Sequence, residues 1–128
     1  MSTYGFRVDY PQLSGFEGVH LENSFVLDLK AAPGRLTLDV ELVLTPEHPA
    51  YRPPAPGEQN CYARARIDIP DVRSLTWTDQ GTPPAVDASG ETDYGGIDVL
   101  YWDGAAFHVE GDWGSIEVVS GPPCISRF

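Results

Sequence analysis

Asp87-Ala88-Ser89-Gly90-Glu91-Thr92-Asp93 places three carboxylates within one short stretch. Such a stretch offers the hard oxygen ligands that calcium takes. Its spacing departs from the helix-loop-helix calcium motif, because the glycine falls at the wrong offset and no glutamate closes the loop. It reads as a solvated polar loop. The softer ligands His20, His48, His108, Cys61 and Cys124 are scattered, and no pair has the short spacing of a zinc site. Neither a metal nor a cofactor is therefore expected. Nucleophilic chemistry has little support. Cys61 lies on the Ala63, Ala65, Ile67 face of its segment and reads as a small buried hydrophobe. Cys124 follows two prolines. A Cys–His dyad stays open, because neighbours in space are invisible in a sequence. No G-x-S-x-G elbow is present. Gly90 and Gly95-Gly96 precede neither a lysine nor a helix pattern, so no phosphate cradle is expected. For a hydrolase or small-ligand site, the best candidate is His108, with Glu110 two positions along on the same strand face. No catalytic residue is assigned, and the chain reads as a binding protein rather than an enzyme.

The strongest signal is charge. Asp and Glu number 19 against 8 Lys and Arg, a net of −11. That balance argues against binding nucleic-acid phosphates or an anionic membrane, both of which need a basic surface. The acids are concentrated late in the chain. Residues 79–128 hold nine of them against Arg127 alone, a net of −8, whereas residues 1–78 carry ten against seven bases. A field of that sign accelerates encounter with a basic protein, although it also serves solubility. Aromatic and aliphatic residues accompany the acids. In Ile97 to Trp102 both faces are apolar, with Ile97, Val99 and Tyr101 on one side and Leu100 and Trp102 on the other. A strand apolar on both faces is either covered twice or lies at an interface. Trp113 reads as a turn aromatic folded onto the sheet, or as an exposed anchor of the kind enriched in binding hot spots. The candidate partner-binding residues are thus Asp93, Asp98, Leu100, Trp102, Asp103, Glu110, Asp112 and Trp113. The expected partner is a basic protein, with a homodimer through Leu100 and Trp102 as the alternative.

These residues must be positioned by strands. Gly and Pro make up 25 of the 128 residues and cut the chain into short apolar runs, as in all-β domains. Arg35 to Leu44 alternates with period two: Leu36, Leu38, Val40, Leu42 and Leu44 against Thr37, Asp39 and Glu41. Ser24 to Lys30 precedes it, and Ala31-Ala32-Pro33-Gly34 supplies a hairpin connection. Cys61 to Ile69 alternates likewise. Its Arg64 and Arg66 are expected to form cross-strand pairs with C-terminal acids. Val72 to Thr78 follows, with Leu75 and Trp77 inward. Ile97 to Trp102, Ala106 to Glu110 and Ser115 to Val119 read as a meander, turning at Asp103-Gly104 and Gly111-Asp112-Trp113-Gly114. Cys124 to Phe128 is a last short strand. The expected fold is mainly β: one domain over residues 1–128, with seven or eight antiparallel strands in a sandwich or partly closed barrel. An α+β arrangement with one short helix near Tyr10 to Phe16 is the alternative. Two proline- and glycine-rich loops, 48–57 and 79–96, separate the strands. No apolar run approaches a membrane span and the N-terminus lacks a signal-peptide core, so a cytoplasmic protein is expected.

Phe16-Glu17-Gly18-Val19-His20-Leu21-Glu22-Asn23-Ser24-Phe25, Leu27-Asp28-Leu29 and Gly34-Arg35-Leu36-Thr37-Leu38-Asp39-Val40 together resemble the opening of small uncharacterised bacterial β-rich proteins. Some of those are classed as immunity proteins of polymorphic toxin systems. Asp98-Val99 and then Gly111-Asp112-Trp113-Gly114-Ser115-Ile116-Glu117 resemble a hairpin of related acidic proteins. Those families carry His-Asp after the leucine where this chain has Glu22-Asn23, so no role for that pair carries over. The resemblance implies a non-enzymatic binding protein.

Overall fold

The computed structural model describes residues 7–79, 85–86 and 92–127. Its strands are β1 (Val8–Asp9), β2 (Val19–Ala32), β3 (Arg35–Leu44), β4 (Cys61–Pro70), β5 (Ser74–Thr78), β6 (Ala85–Val86), β7 (Thr92–Asp93), β8 (Ile97–Trp102), β9 (Phe107–Gly111), β10 (Gly114–Val119) and β11 (Cys124–Arg127). They build an unclosed sandwich of two antiparallel sheets, ordered β1-β8-β9-β10-β5 and β11-β4-β3-β2, with β6 and β7 paired apart. The nine strands of the two sheets exceed the expected seven or eight because β1 is only two residues long, too short for alternation to register. The stretch near Tyr10 forms a single 3-10 turn, Tyr10–Gln12, around Pro11, and no α-helix occurs among the described residues.

Alternation decides the layers. Leu36, Leu38, Val40, Leu42 and Leu44 of β3 are all at most 3% exposed and face Ile97, Leu100, Val109, Ile116 and Val118 of the other sheet within one core. Phe16, Leu21, Val26, Ile67 and Ile69 complete it. Burying a branched or aromatic side chain of this kind contributes about 1.5–3 kcal/mol. The outer face of the four-stranded sheet is charged. Arg66 pairs with Asp39 at 2.7 Å and Arg64 with Glu41 at 3.4 Å, each directly across from its partner in the β3–β4 register. Among the described residues, both arginines thus pair with acids of the neighbouring strand β3. At the sandwich's side, Val26 of β2 donates to Gly95 O and accepts from Tyr94 N–H, both at 2.8 Å, which ties the edge of one sheet to the approach of β8.

Two strands break their alternation. In β8, Ile97 lies opposite Gly111 and Val99 opposite Glu110, so Asp98 is an inserted bulge residue. The insertion changes the phase, and Ile97 and Leu100 both enter the core, at 1% and 2% exposure. Leu100 therefore cannot serve as a docking residue. Trp102 is half-buried, packed on the core margin with its ring 4.6 Å from Phe107. Of the two side chains proposed for an interface, Leu100 belongs to the sandwich interior and Trp102 to its margin. In β2, His20 lies opposite Val43 and Phe25 opposite Glu41, so Leu42 alone spans the four residues Leu21 to Ser24. This larger bulge explains why alternation is legible only from Ser24, whereas the strand begins at Val19.

Candidate functional site: an acidic groove where two bulges meet

A further shift in β2 inserts Leu27 between Val26 and Asp28. The bulges at Leu21 to Ser24 and at Asp98 open onto one groove of about 540 Å³, which Glu22, Asp98 and Asp112 line with carboxylates. Asn23, Gln59, Asn60 and Tyr62 add amide and hydroxyl groups, and Phe25 adds an aromatic edge, 39% exposed. Among the described residues no Lys, Arg or His lines it. A second pocket of about 280 Å³, bordered by His20, Tyr51 and Cys61, shares Asn23, Gln59 and Asn60 with it.

Each carboxylate is held by a different device. Ser24, completely buried, closes the β2 bulge: its Oγ donates to His20 O at 2.8 Å and accepts from Val43 N–H at 2.9 Å. The strand is thereby swung so that Glu22 and Asn23 project outward. Glu22 is then oriented by Tyr10, whose hydroxyl donates to Glu22 Oε1 at 2.6 Å and accepts from Leu21 N–H at 3.2 Å. Burial, followed by the hydrogen bond to that carboxylate, pushes the Tyr10 hydroxyl up to about 12. It thus remains a donor at any physiological pH. His20 Nε2 stands 3.7 Å from the same oxygen.

Asp98 comes from the β8 bulge. Asp112 comes from the β9–β10 turn, where glycines allow a close approach. Gly95 has φ +90°, and the space that a Cβ would take there is occupied by the Asp112 carboxylate. A Cβ on Gly111 would meet Gly96 O and the Trp113 indole nitrogen. Trp113 is 2% exposed and donates from Nε1 to Gly96 O at 3.2 Å. Trp77 donates in turn to Trp113 O at 3.2 Å, with the two rings edge-to-face at 6.4 Å. The Gly111-Asp112-Trp113-Gly114 segment is therefore a locked turn that buries its tryptophan and presents its aspartate. Trp113 is the folded-in turn aromatic, not an exposed anchor.

Asp103 and Glu110 lie elsewhere. Asp103 caps the β8–β9 hairpin, accepting from Ala105 N–H at 2.8 Å and Ala106 N–H at 2.7 Å. Its other oxygen lies 2.7 Å from His108 Nε2. The Ala106 bond, then the His108 contact, hold its carboxyl at about 2, below the usual range. The His108 ring stacks on Tyr101 at 4.6 Å, and the Arg7 guanidinium lies 3.9 Å over that tyrosine. His108 is thus committed to Asp103 and Tyr101, while Glu110, half-buried, faces Val99 and Ser115 across the ladder. His20 and His108 do not share a site, because one borders the β2 bulge and the other lies on the outer face of the five-stranded sheet. Asp93 belongs to β7. Asp87 and Glu91 lie outside the described residues. Cys61 and Cys124 are both unbridged. Among the described residues no group of three His, Cys, Asp or Glu side chains is arranged to hold a metal ion, and no helix is long and apolar enough to cross a membrane.

Of the residues proposed from charge, the structure thus brings Asp98 and Asp112 together. Glu22, Asn23, Gln59, Asn60, Tyr62 and Phe25 join them without having been singled out as a site. The available signal was the loss of alternation over Leu21 to Ser24. No family model matches the chain, and neither a curated protein nor a solved structure matches it.

Proposed function

We propose that this chain is a non-enzymatic, cytoplasmic binding domain that receives a basic segment of a protein partner in the acidic groove. One observation carries the reading: two separate strand bulges and a locked turn each deliver a carboxylate to one groove that no Lys or Arg among the described residues lines. Strand bulges re-aim side chains and concentrate beside functional sites. A guanidinium or ammonium group finds carboxylate oxygens there, amides for its remaining donors, and Phe25 and Tyr62 for its aliphatic stem. The immunity-like resemblance supports an inhibitory form of this activity, in which the groove covers a basic surface of the partner.

The test uses a fluorescently labelled hexa-arginine peptide, with binding read by anisotropy at low and high salt. Each exposed charge pair contributes about 0.2–1 kcal/mol, so the combined Glu22→Gln, Asp98→Asn, Asp112→Asn variant should bind about tenfold more weakly. It should also show a flatter salt dependence. Glu110→Gln with Glu117→Gln, on the outer sheet face, should retain the affinity. Equal losses in both variants would mean that only net charge is being read, and the groove would have no special role. Capture from a host lysate at both salt concentrations would then identify the natural partner.

A further inference from the structure

β5 is the outermost strand of the five-stranded sheet. Its inner edge pairs with β10 over Ser74 to Thr78 without a register shift, and no described residue pairs with its outer edge. Natural edge strands are usually blunted by a lysine, a proline, a bulge or a cover, because bare N–H and C=O groups recruit another strand. Ser74-Leu75-Thr76-Trp77-Thr78 carries no charge, proline or glycine. Charges stand only at its two ends, Arg73 before it and Asp79 after it. Both are exposed, and neither is in an ion pair among the described residues. Leu75 and Trp77 point inward but are only half-buried, at the open margin of the core.

This segment is complementary to itself. Antiparallel pairing about a two-fold axis at Thr76 places Thr76 against Thr76, Leu75 against Trp77 and Ser74 against Thr78. Just beyond both strand ends it brings Arg73 toward Asp79 of the second copy. Aliphatic–aromatic and opposite-charge cross-strand pairs are the favourable ones, and no like charges meet directly. We infer that the chain forms a two-fold homodimer by antiparallel pairing of β5 with β5 of a second copy. The two five-stranded sheets become one continuous sheet, and the half-buried Leu75 and Trp77 of each copy cover one another. Such an interface is isologous and closes on itself, so it stops at two chains. The net −11 of each copy opposes association, but at physiological ionic strength charges beyond about 8 Å are largely screened. The paired edge is separated from β8 by β9 and β10, so this surface is distinct from the one offered to a basic partner.

The test is sedimentation equilibrium over a concentration series reaching about 1 mM, the range in which weak association is detected. Wild type should move from 14.0 kDa toward twice that mass. Arg73→Asp alone and Asp79→Lys alone each turn both end pairs repulsive and should weaken self-association about tenfold or more. An equimolar mixture of the two variants makes both end pairs attractive again in the heterodimer and should recover wild-type association. Asp79 has φ 59°, so a lysine there is locally strained. Thr76→Lys, which sets like charges against each other at the two-fold axis, provides an independent disruption on an exposed side chain. A wild-type protein monomeric throughout, single variants that associate like wild type, or a mixture no better than its components would each overturn the inference.

Discussion

Asp103 belongs to the acidic set proposed from charge, yet its surroundings make it a hairpin cap, and the two roles separate on titration. Its carboxylate accepts from two backbone N–H groups and contacts the His108 imidazole. Those contacts hold its carboxyl at about 2 instead of 3.8. A gap of that size corresponds to at most about 2 kcal/mol of stability. The side chain is 35% exposed, so solvent screening reduces the figure to about 1 kcal/mol. Because the folded-state pKa is the lower one, this contribution is fully present above the unfolded value near 4. It is lost as pH falls through the folded value near 2. Asp103→Asn keeps an acceptor for the two amides but removes the charge. Urea unfolding should therefore find the variant about 1 kcal/mol less stable at pH 7. The gap should close as pH falls from about 5 toward 2. Taking wild type minus variant at each pH cancels the titration of the other acids. A difference that stays constant with pH, or is absent at pH 7, would refute the assignment of Asp103 to the cap. Binding of the hexa-arginine probe should be unaffected by this substitution.

Ser24→Ala leaves the buried Val43 N–H without its partner and should cost about 1–3 kcal/mol in urea unfolding, with a parallel loss of probe affinity as Glu22 is released. Gly95→Ala should lower both stability and probe affinity by displacing Asp112, and pairing it with Asp112→Ala should recover part of the stability but none of the affinity. Leu100→Ala, at 2% exposure, should destabilise by about 2–5 kcal/mol while leaving the concentration dependence of mass unchanged wherever the protein is folded. An effect of Leu100→Ala on association at unchanged stability would return that residue to an interface.

The regular parts of this fold were legible because period-two alternation and burial are the same information. β3, β4, β9 and β10 fall where Arg35 to Leu44, Cys61 to Ile69, Ala106 to Glu110 and Ser115 to Val119 alternate, to within a residue or two. The β2–β3 hairpin turns at Pro33-Gly34 as its residue types require. Alternation says nothing about which strand lies beside which, so it could not place Arg64 and Arg66 opposite Glu41 and Asp39. Nor does it survive an insertion. Leu100 and Trp102 looked like a second apolar face only because Ile97 to Trp102 was read without the extra residue at Asp98. Restoring that residue turns Ile97 and Leu100 to the same side. The sandwich was therefore readable, but the docking surface placed on β8 was not.

The same failure of alternation locates the site. A strand buried on one face has its register fixed by its apolar residues, and a slip of one position exchanges its two faces. A bulge is tolerated only where some other interaction holds the inserted residues. In β2 that interaction is Ser24, a fully buried hydroxyl engaged by His20 O and Val43 N–H. In β8 it is the Gly95-Gly96 approach, locked by the Trp113 indole and carrying the Asp112 carboxylate against Gly95. Neither arrangement is needed to complete a sandwich core, which an unbroken pair of ladders would bury equally well. What the two insertions have in common is the direction in which they send Glu22 and Asp98. The buried Ser24 hydroxyl and the Trp113 indole N–H hold irregular backbone at two sites remote in sequence, and both sites converge on one acidic groove. That convergence favours the groove over the outer sheet faces as the surface for the proposed basic partner. On the outer face of the four-stranded sheet the charges already answer one another in Asp39–Arg66 and Glu41–Arg64.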